Sequence, residues 1–174
     1  MGRDIQKSIK LWTGLFIAII SYYIVHEGVH LLLALLFGVF ERVRIVGLWG
    51  VQIVTTEGGL AGIKLAVFSG LSSIVTVIIG YILAFSPSTY KIKNKNILIA
   101  IYYITLCFMI LDPLYISILS LFIGGGGDLN GIVTGLGTSD ISFRIVFGII
   151  SIISIILFKK RVAPKYKEIF KEEN

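Results

Sequence analysis

The two histidines of this 174-residue chain stand four positions apart, and a glutamate directly follows the first. On an α-helix His26 and His30 project from one face, about 40° apart, so both imidazoles can bind a single metal ion. Glu27 projects about 100° away, which makes it a poor third ligand but leaves it able to take a proton from a metal-bound water molecule. Zinc suits such ligands and lowers the pKa of bound water toward about 7. The segment therefore predicts a hydrolytic zinc site with Glu27 as the catalytic residue.

A catalytic zinc site also needs a third protein ligand and one open position. The chain has no further histidine, and its single cysteine has no other support as a ligand, so an acidic residue is expected. The candidates are Asp112, Asp128 and Asp140. Asp112 lies about fifteen residues, or about 22 Å, from the inner end of its predicted span, which is the depth of His26. Asp128 follows the glycine run 124–127, which could fold a re-entrant segment inward and carry the carboxylate to the metal.

Long apolar runs must hold these residues in place. The chain is 56% hydrophobic, whereas soluble domains are roughly 45–50% apolar. Four runs are long enough to cross a bilayer, which takes about 20 helical residues. The sequence thus predicts an all-α membrane protein of one domain, residues 1–174, whose bundle of about four transmembrane helices contacts the lipid bilayer. The predicted spans are residues 11–37, 60–85, 97–123 and 141–158.

Charge sets the expected orientation. Lysines and arginines cluster before the first predicted span, between the second and third, and after the fourth. Positive charge favours the cytoplasmic side, so both termini are expected in the cytoplasm and the chain in the cell membrane. The net charge is +6, but no basic face with interleaved aromatic residues is present, so no nucleic-acid partner is expected. The sequence does not indicate an oligomeric state.

The first outer loop carries a second pattern. Two β-branched stretches, residues 42–46 and 51–55, flank Gly47-Leu48-Trp49-Gly50. This arrangement predicts a short β-hairpin at the outer face, and an irregular interfacial loop anchored by Trp49 is the alternative. The glycine run before the last span predicts the re-entrant segment that would carry Asp128.

Together these features resemble the site-2 protease family of intramembrane zinc metalloproteases. The resemblance rests on the His-Glu-x-x-His motif in an early span, the β-rich loop, the glycine-marked start of the next span (residues 58–62) and an aspartate about a hundred residues on. The family's third ligand usually lies in a Leu-Asp-Gly motif, but Pro113 follows Asp112 here. Gly126-Gly127-Asp128 is instead similar to the glycine-led aspartate of short divergent members. The resemblance favours Asp128 as the ligand; Asp112 would then pair with backbone groups or tyrosine hydroxyls.

The resemblance implies hydrolysis of peptide bonds in or near a transmembrane segment of a substrate protein. Zinc would be the cofactor, with His26, His30 and Asp128 as ligands and Glu27 activating the water. A helical peptide bond is shielded by its own hydrogen bonds, so the substrate must be extended locally, and an edge of the segment 42–55 could hold it as an added strand. Two alternatives stay open: a zinc-dependent membrane hydrolase of another substrate class, and a non-proteolytic membrane scaffold or regulator.

Overall fold

The computed structural model describes residues 2–46, 50–122 and 127–171. Within them the chain is mostly helical and carries one small antiparallel sheet. Short 3-10 turns at Thr89–Lys91 and Leu119–Leu121 and a π turn at Phe158–Val162 join some of the helices. The elements are α1 Gly2–Leu36, β1 Phe40–Val46, β2 Gly50–Thr55, α2 Gly62–Phe85, α3 Lys95–Ser117, α4 Gly127–Leu136, α5 Asp140–Leu157 and α6 Ala163–Lys171.

Four helical stretches of the described chain are long and apolar enough to cross a membrane. They are Ser8–Leu36, Gly62–Phe85, Lys95–Ser117 and Asp140–Glu168. Each overlaps one of the predicted spans, so the prediction of a mainly helical chain with four apolar helices is confirmed. Central helix α3 packs against α1, α2 and α5, and the short helix α4 packs against α2.

The end of α3 differs from the prediction. The third apolar run was expected to stay helical to residue 123, but α3 ends at Ser117. Side chains bind carbonyl groups in the last turn of the helix. The Ser117 hydroxyl donates to the Pro113 carbonyl at 2.6 Å, and the Arg144 guanidinium donates to the Ile116 carbonyl at 3.3 Å. These groups stabilise a helix end in an apolar stretch, where hydropathy alone gives no stop signal.

The predicted β-hairpin is confirmed. β1 and β2 pair antiparallel, from Val46 opposite Gly50 to Phe40 opposite Thr55, with an irregular register near Phe40. The side chain of Ile53 is buried in a cluster with residues of α1 and of the turn that follows it, which attaches the sheet to the end of that helix. The predicted turn at 47–49, including the proposed anchor Trp49, lies outside the described residues, as do residues 124–126 of the glycine run.

Helix α4 lies unusually close to α2 because small residues form the contact. A Cβ atom added to Gly135 would lie 2.6 Å from the Ala66 amide nitrogen and 2.6 Å from the Gly62 carbonyl oxygen. Since both are backbone atoms, neither can move aside without displacing a helix. A glycine at 135 therefore sets the separation of α4 from α2, and with it the position of the whole of α4.

Replacement of Gly135 by alanine is expected to lower the free energy of unfolding by about 1–3 kcal/mol, because the methyl group overpacks a backbone contact. The midpoint of thermal unfolding in detergent measures this. Gly148→Ala is the matched control, since its Cβ would lie an ordinary 3.7 Å from the nearest side-chain atom. Equal midpoints for the two variants would contradict the close contact.

Candidate metal centre

The two histidines meet on the inward face of α1. Their side chains are buried, with 7% of His26 and 5% of His30 exposed. Their ring centroids are 5.0 Å apart, as expected for positions one helical turn apart. The helix runs unbroken through the motif, so its period alone places both imidazoles side by side.

Asp128 faces both imidazoles from the first turn of α4. One carboxylate oxygen lies 3.2 Å from Nε2 of His26, and the other lies 3.5 Å from Nε2 of His30. The donor atoms of the three residues all fall within 4.8 Å of one another. The sequence separates Asp128 from the motif by about a hundred residues, and the packing of α4 on α2 brings it back.

These separations are short enough for the three residues to share one metal ion. The donor atoms of two ligands of the same ion lie about 3.3 Å apart when the ligand bonds are about 2.0–2.1 Å long. One oxygen of Asp128 lies 3.2 Å from Nε2 of His26, and the other lies 3.5 Å from Nε2 of His30. Two imidazoles and a carboxylate are a donor set that suits a transition metal such as zinc. The three residues could therefore hold a metal ion.

Asp112 lies on the opposite side of the His26 ring. Its Oδ1 atom is 3.4 Å from Nδ1 of His26, whereas Asp128 faces Nε2. The Tyr22 hydroxyl donates to Asp112 Oδ1 at 2.5 Å, as expected for an aspartate that pairs with a tyrosine instead of the metal. Depth favoured Asp112 as the third ligand, but in the structure Asp112 faces Nδ1 of His26 and Asp128 faces Nε2.

Glu27 lines a cavity of about 490 Å³ that also exposes His26, His30 and Asp128. Its side chain is half-buried and shares the cavity wall with residues of β2, of the loop after it and of α2. A substrate group and a water molecule could both be accommodated there. The candidate catalytic carboxylate and the candidate metal ligands thus face one space, as the motif predicts.

Asp140, the remaining candidate ligand, is not part of this cluster. It lies in the first turn of α5, where its exposed carboxylate pairs with Arg144 at 3.3 Å. That arrangement is an i,i+4 helix pair at the bundle surface. The possibility that Asp140 completes the site is therefore wrong for this fold.

Two contacts escaped the sequence analysis. Thr76 donates its hydroxyl hydrogen to Oδ2 of Asp112, and the Phe68 ring lies 4.9 Å from the His30 ring. Thr76 belongs to a buried row of hydroxyl residues on α2 that repeats with helical spacing: Ser69, Ser72, Ser73 and Thr76. That spacing was a readable signal that one face of α2 turns toward polar groups.

Comparisons with known proteins add no relative. No protein-family model, no curated protein and no solved structure matches this chain. Membership of the site-2 protease family therefore stays a prediction from the motif.

Proposed function

We propose that this chain is an intramembrane zinc metalloprotease that hydrolyses peptide bonds in or near the transmembrane segments of other proteins. One observation carries the proposal: Asp128 comes within 3.2 and 3.5 Å of the two imidazoles of a His-Glu-x-x-His motif. This cluster lies among helices apolar enough to cross a membrane. Ionisable groups in such helices are costly and mark functional sites by default.

The environment of His26 supports a cation at this position. A neutral imidazole carries one N–H, but His26 faces a carboxylate at each nitrogen, 3.4 Å at Nδ1 and 3.2 Å at Nε2. On one side of the ring, a nitrogen without hydrogen would therefore face a carboxylate oxygen, and both of these groups are hydrogen-bond acceptors. A second proton or a metal ion removes this conflict. The metal is favoured because His30 converges on the same carboxylate beside an open cavity.

The residues divide the chemistry between them. His26, His30 and Asp128 would hold the ion, which when bound supplies Lewis-acid chemistry that acidifies water and polarises a carbonyl group. Glu27 acts as the proton carrier: its carboxylate takes a proton from the attacking water and later gives it to the leaving nitrogen. The water oxygen bonds to the carbonyl carbon, the C–N bond breaks, and an acid and an amine remain.

The edge of β2 is where we expect the substrate to bind. All five residues from Val51 to Thr55 line the cavity, whereas only Arg44 does so from β1. Successive side chains of a strand point to opposite faces, so five consecutive lining residues mean that the strand edge, not one face, borders the cavity. β2 pairs with β1 along its other edge. An extended substrate segment could therefore add to β2 as a further strand.

A cysteine at Val54 of β2 is expected to cross-link to a reporter protein whose single transmembrane segment carries a cysteine beside its cut site. A cysteine at Ile45 of β1 is the control, since Ile45 is 77% exposed but does not line the cavity. Cys107→Ser removes the native thiol from both variants. Proline at Ile53 is a poorer probe, because that side chain is buried against α1. Equal cross-linking at both positions would reject strand addition to β2.

The orientation in the membrane is part of the proposal. The Tyr90 and Tyr166 rings lie 5.3 Å apart, which brings the loop between α2 and α3 against α6. Exposed lysines at 91 and 93 therefore lie at the same end of the bundle as the basic residues at 159–161. The positive-inside rule assigns that end of the bundle to the cytoplasmic side of a cell membrane. Both termini would lie on the same side.

A further inference from the structure

Asp112 is the most deeply buried acidic side chain in the described part of the chain, with 2% exposed. It accepts a hydrogen bond from the Tyr22 hydroxyl of α1 and another from the Thr76 hydroxyl of α2, while Asp112 itself lies on α3. Its third neighbour is His26, whose Nδ1 atom lies 3.4 Å from Oδ1. Three helices thus contribute to one polar cluster behind the candidate metal ligand.

The hydrogen bonds around Asp112 bear on which nitrogen of His26 carries hydrogen. An ionised carboxylate only accepts hydrogen bonds, and the Tyr22 proton is directed at Asp112. The Thr76 hydroxyl has one proton and two acceptors within reach, the Asp112 carboxylate and the Ser73 carbonyl at 2.9 Å. The Tyr22 oxygen is also 3.5 Å from Nδ1 of His26, but its proton is used in the 2.5 Å bond to Asp112. Carboxylates face both nitrogens of His26, and an imidazole that binds a metal through Nε2 carries its hydrogen on Nδ1, the nitrogen that faces Asp112. Nε2, on the other side of the ring, then keeps its lone pair toward Asp128.

We propose that Asp112, fixed by Tyr22 and Thr76, is a positioning residue that holds His26 with hydrogen on Nδ1 and Nε2 free for the metal. The proposal rests on the proposed function, because it assumes that a metal binds at Nε2. Partners of this kind orient a metal-binding histidine and raise its basicity. His30 differs: its Nδ1 atom is buried and has no hydrogen-bond partner among the described residues. His26 is therefore the pre-organised ligand of the pair.

The zinc affinity of the full-length protein in detergent tests this role, by competition with a chromophoric chelator. Asp112→Asn is expected to weaken zinc binding about 10–100-fold, the usual effect of losing such a partner. Tyr22→Phe and Thr76→Val should weaken it less, since each removes one bond to Asp112. The visible spectrum of the Co²⁺-loaded protein should shift in Asp112→Asn, because the electron donation of His26 changes.

Tyr81→Phe is the matched control. It also removes a tyrosine hydroxyl that links two helices, since Tyr81 lies 3.0 Å from the Ser154 hydroxyl of α5, but it does not contact the cluster. Its zinc affinity should equal that of the wild type. Wild-type affinity in Asp112→Asn would overturn the positioning role and leave the protease proposal standing. If Asp112→Asn does not fold, unchanged affinity in both Tyr22→Phe and Thr76→Val overturns it. A wild-type protein that binds no zinc would instead reject the proposed function, and this role with it.

Discussion

Glu27→Gln should retain its zinc and lose cleavage by at least about 100-fold. General acid–base groups typically contribute 10²–10⁴-fold to a rate, and an amide can neither accept the proton of the attacking water nor return it to the leaving nitrogen. Zinc retention follows because the three proposed ligands are other residues. The measurements are turnover of a membrane-inserted reporter that the wild type cuts and metal content of the same preparation.

The control for this variant lies in the same cavity. Glu57 lines it from the loop after β2 and is exposed, so Glu57→Gln changes the charge of the cavity by the same amount. It should cut the reporter at close to the wild-type rate. Full activity in Glu27→Gln, or equal losses in the two variants, would show that Glu27 is not the proton carrier.

Asp128→Ala is expected to lower zinc affinity by more than about 100-fold. Loss of a residue that hydrogen-bonds to a metal ligand usually lowers metal affinity about 10–100-fold. Asp128 lies 3.2 Å from the His26 imidazole and 3.5 Å from the His30 imidazole, and as a proposed direct ligand it should contribute more. The Asp128 carboxylate is also the only acidic group among the three proposed ligands, so its loss removes the negative charge that would stabilise the bound Zn²⁺. The same chelator competition measures the loss.

Two other aspartates provide the comparison. Asp140→Ala should bind zinc like the wild type, since Asp140 pairs with Arg144 at the surface of the bundle. Asp112→Ala should fall between the two, because Asp112 reaches only the far nitrogen of His26. If Asp112→Ala lost all zinc while Asp128→Ala kept it, the assignment of ligand and positioning residue would have to be exchanged.

The sequence predicted the parts of the site that depend on local spacing. The i,i+4 relation of His26 and His30 needs only a continuous helix, and a run of apolar residues longer than about 20 predicts such a helix. The hairpin followed in the same way from two β-branched stretches around glycines. Each of these predictions was made from one segment of the sequence and did not depend on how the helices pack.

The choice between Asp112 and Asp128 could not be made in this way. The sequence placed Asp112 level with His26, and the side chains of these two residues do meet. Depth does not say which nitrogen of the ring an aspartate faces, and that depends on where α3 and α4 stand around α1. The position of α4 depends in turn on a close backbone contact at Gly135, which no periodicity reveals.

The third helix shows the limit of hydropathy. Residues 118–123 are as apolar as the helix before them, yet α3 ends at Ser117. One of the side chains that bind its last carbonyls is Arg144, which comes from α5. A long-range partner therefore contributes to a local boundary, and the sequence shows this partner only as the single charged residue of the fourth apolar run.

Metal analysis of the purified protein tests the central claim most directly. Zinc should be present at about one ion per chain in the wild type and should be absent from the double variant His26→Ala His30→Ala. A wild-type protein without zinc, or a double variant that keeps it, would contradict the account and favour a membrane protein with a metal-free polar contact between its helices.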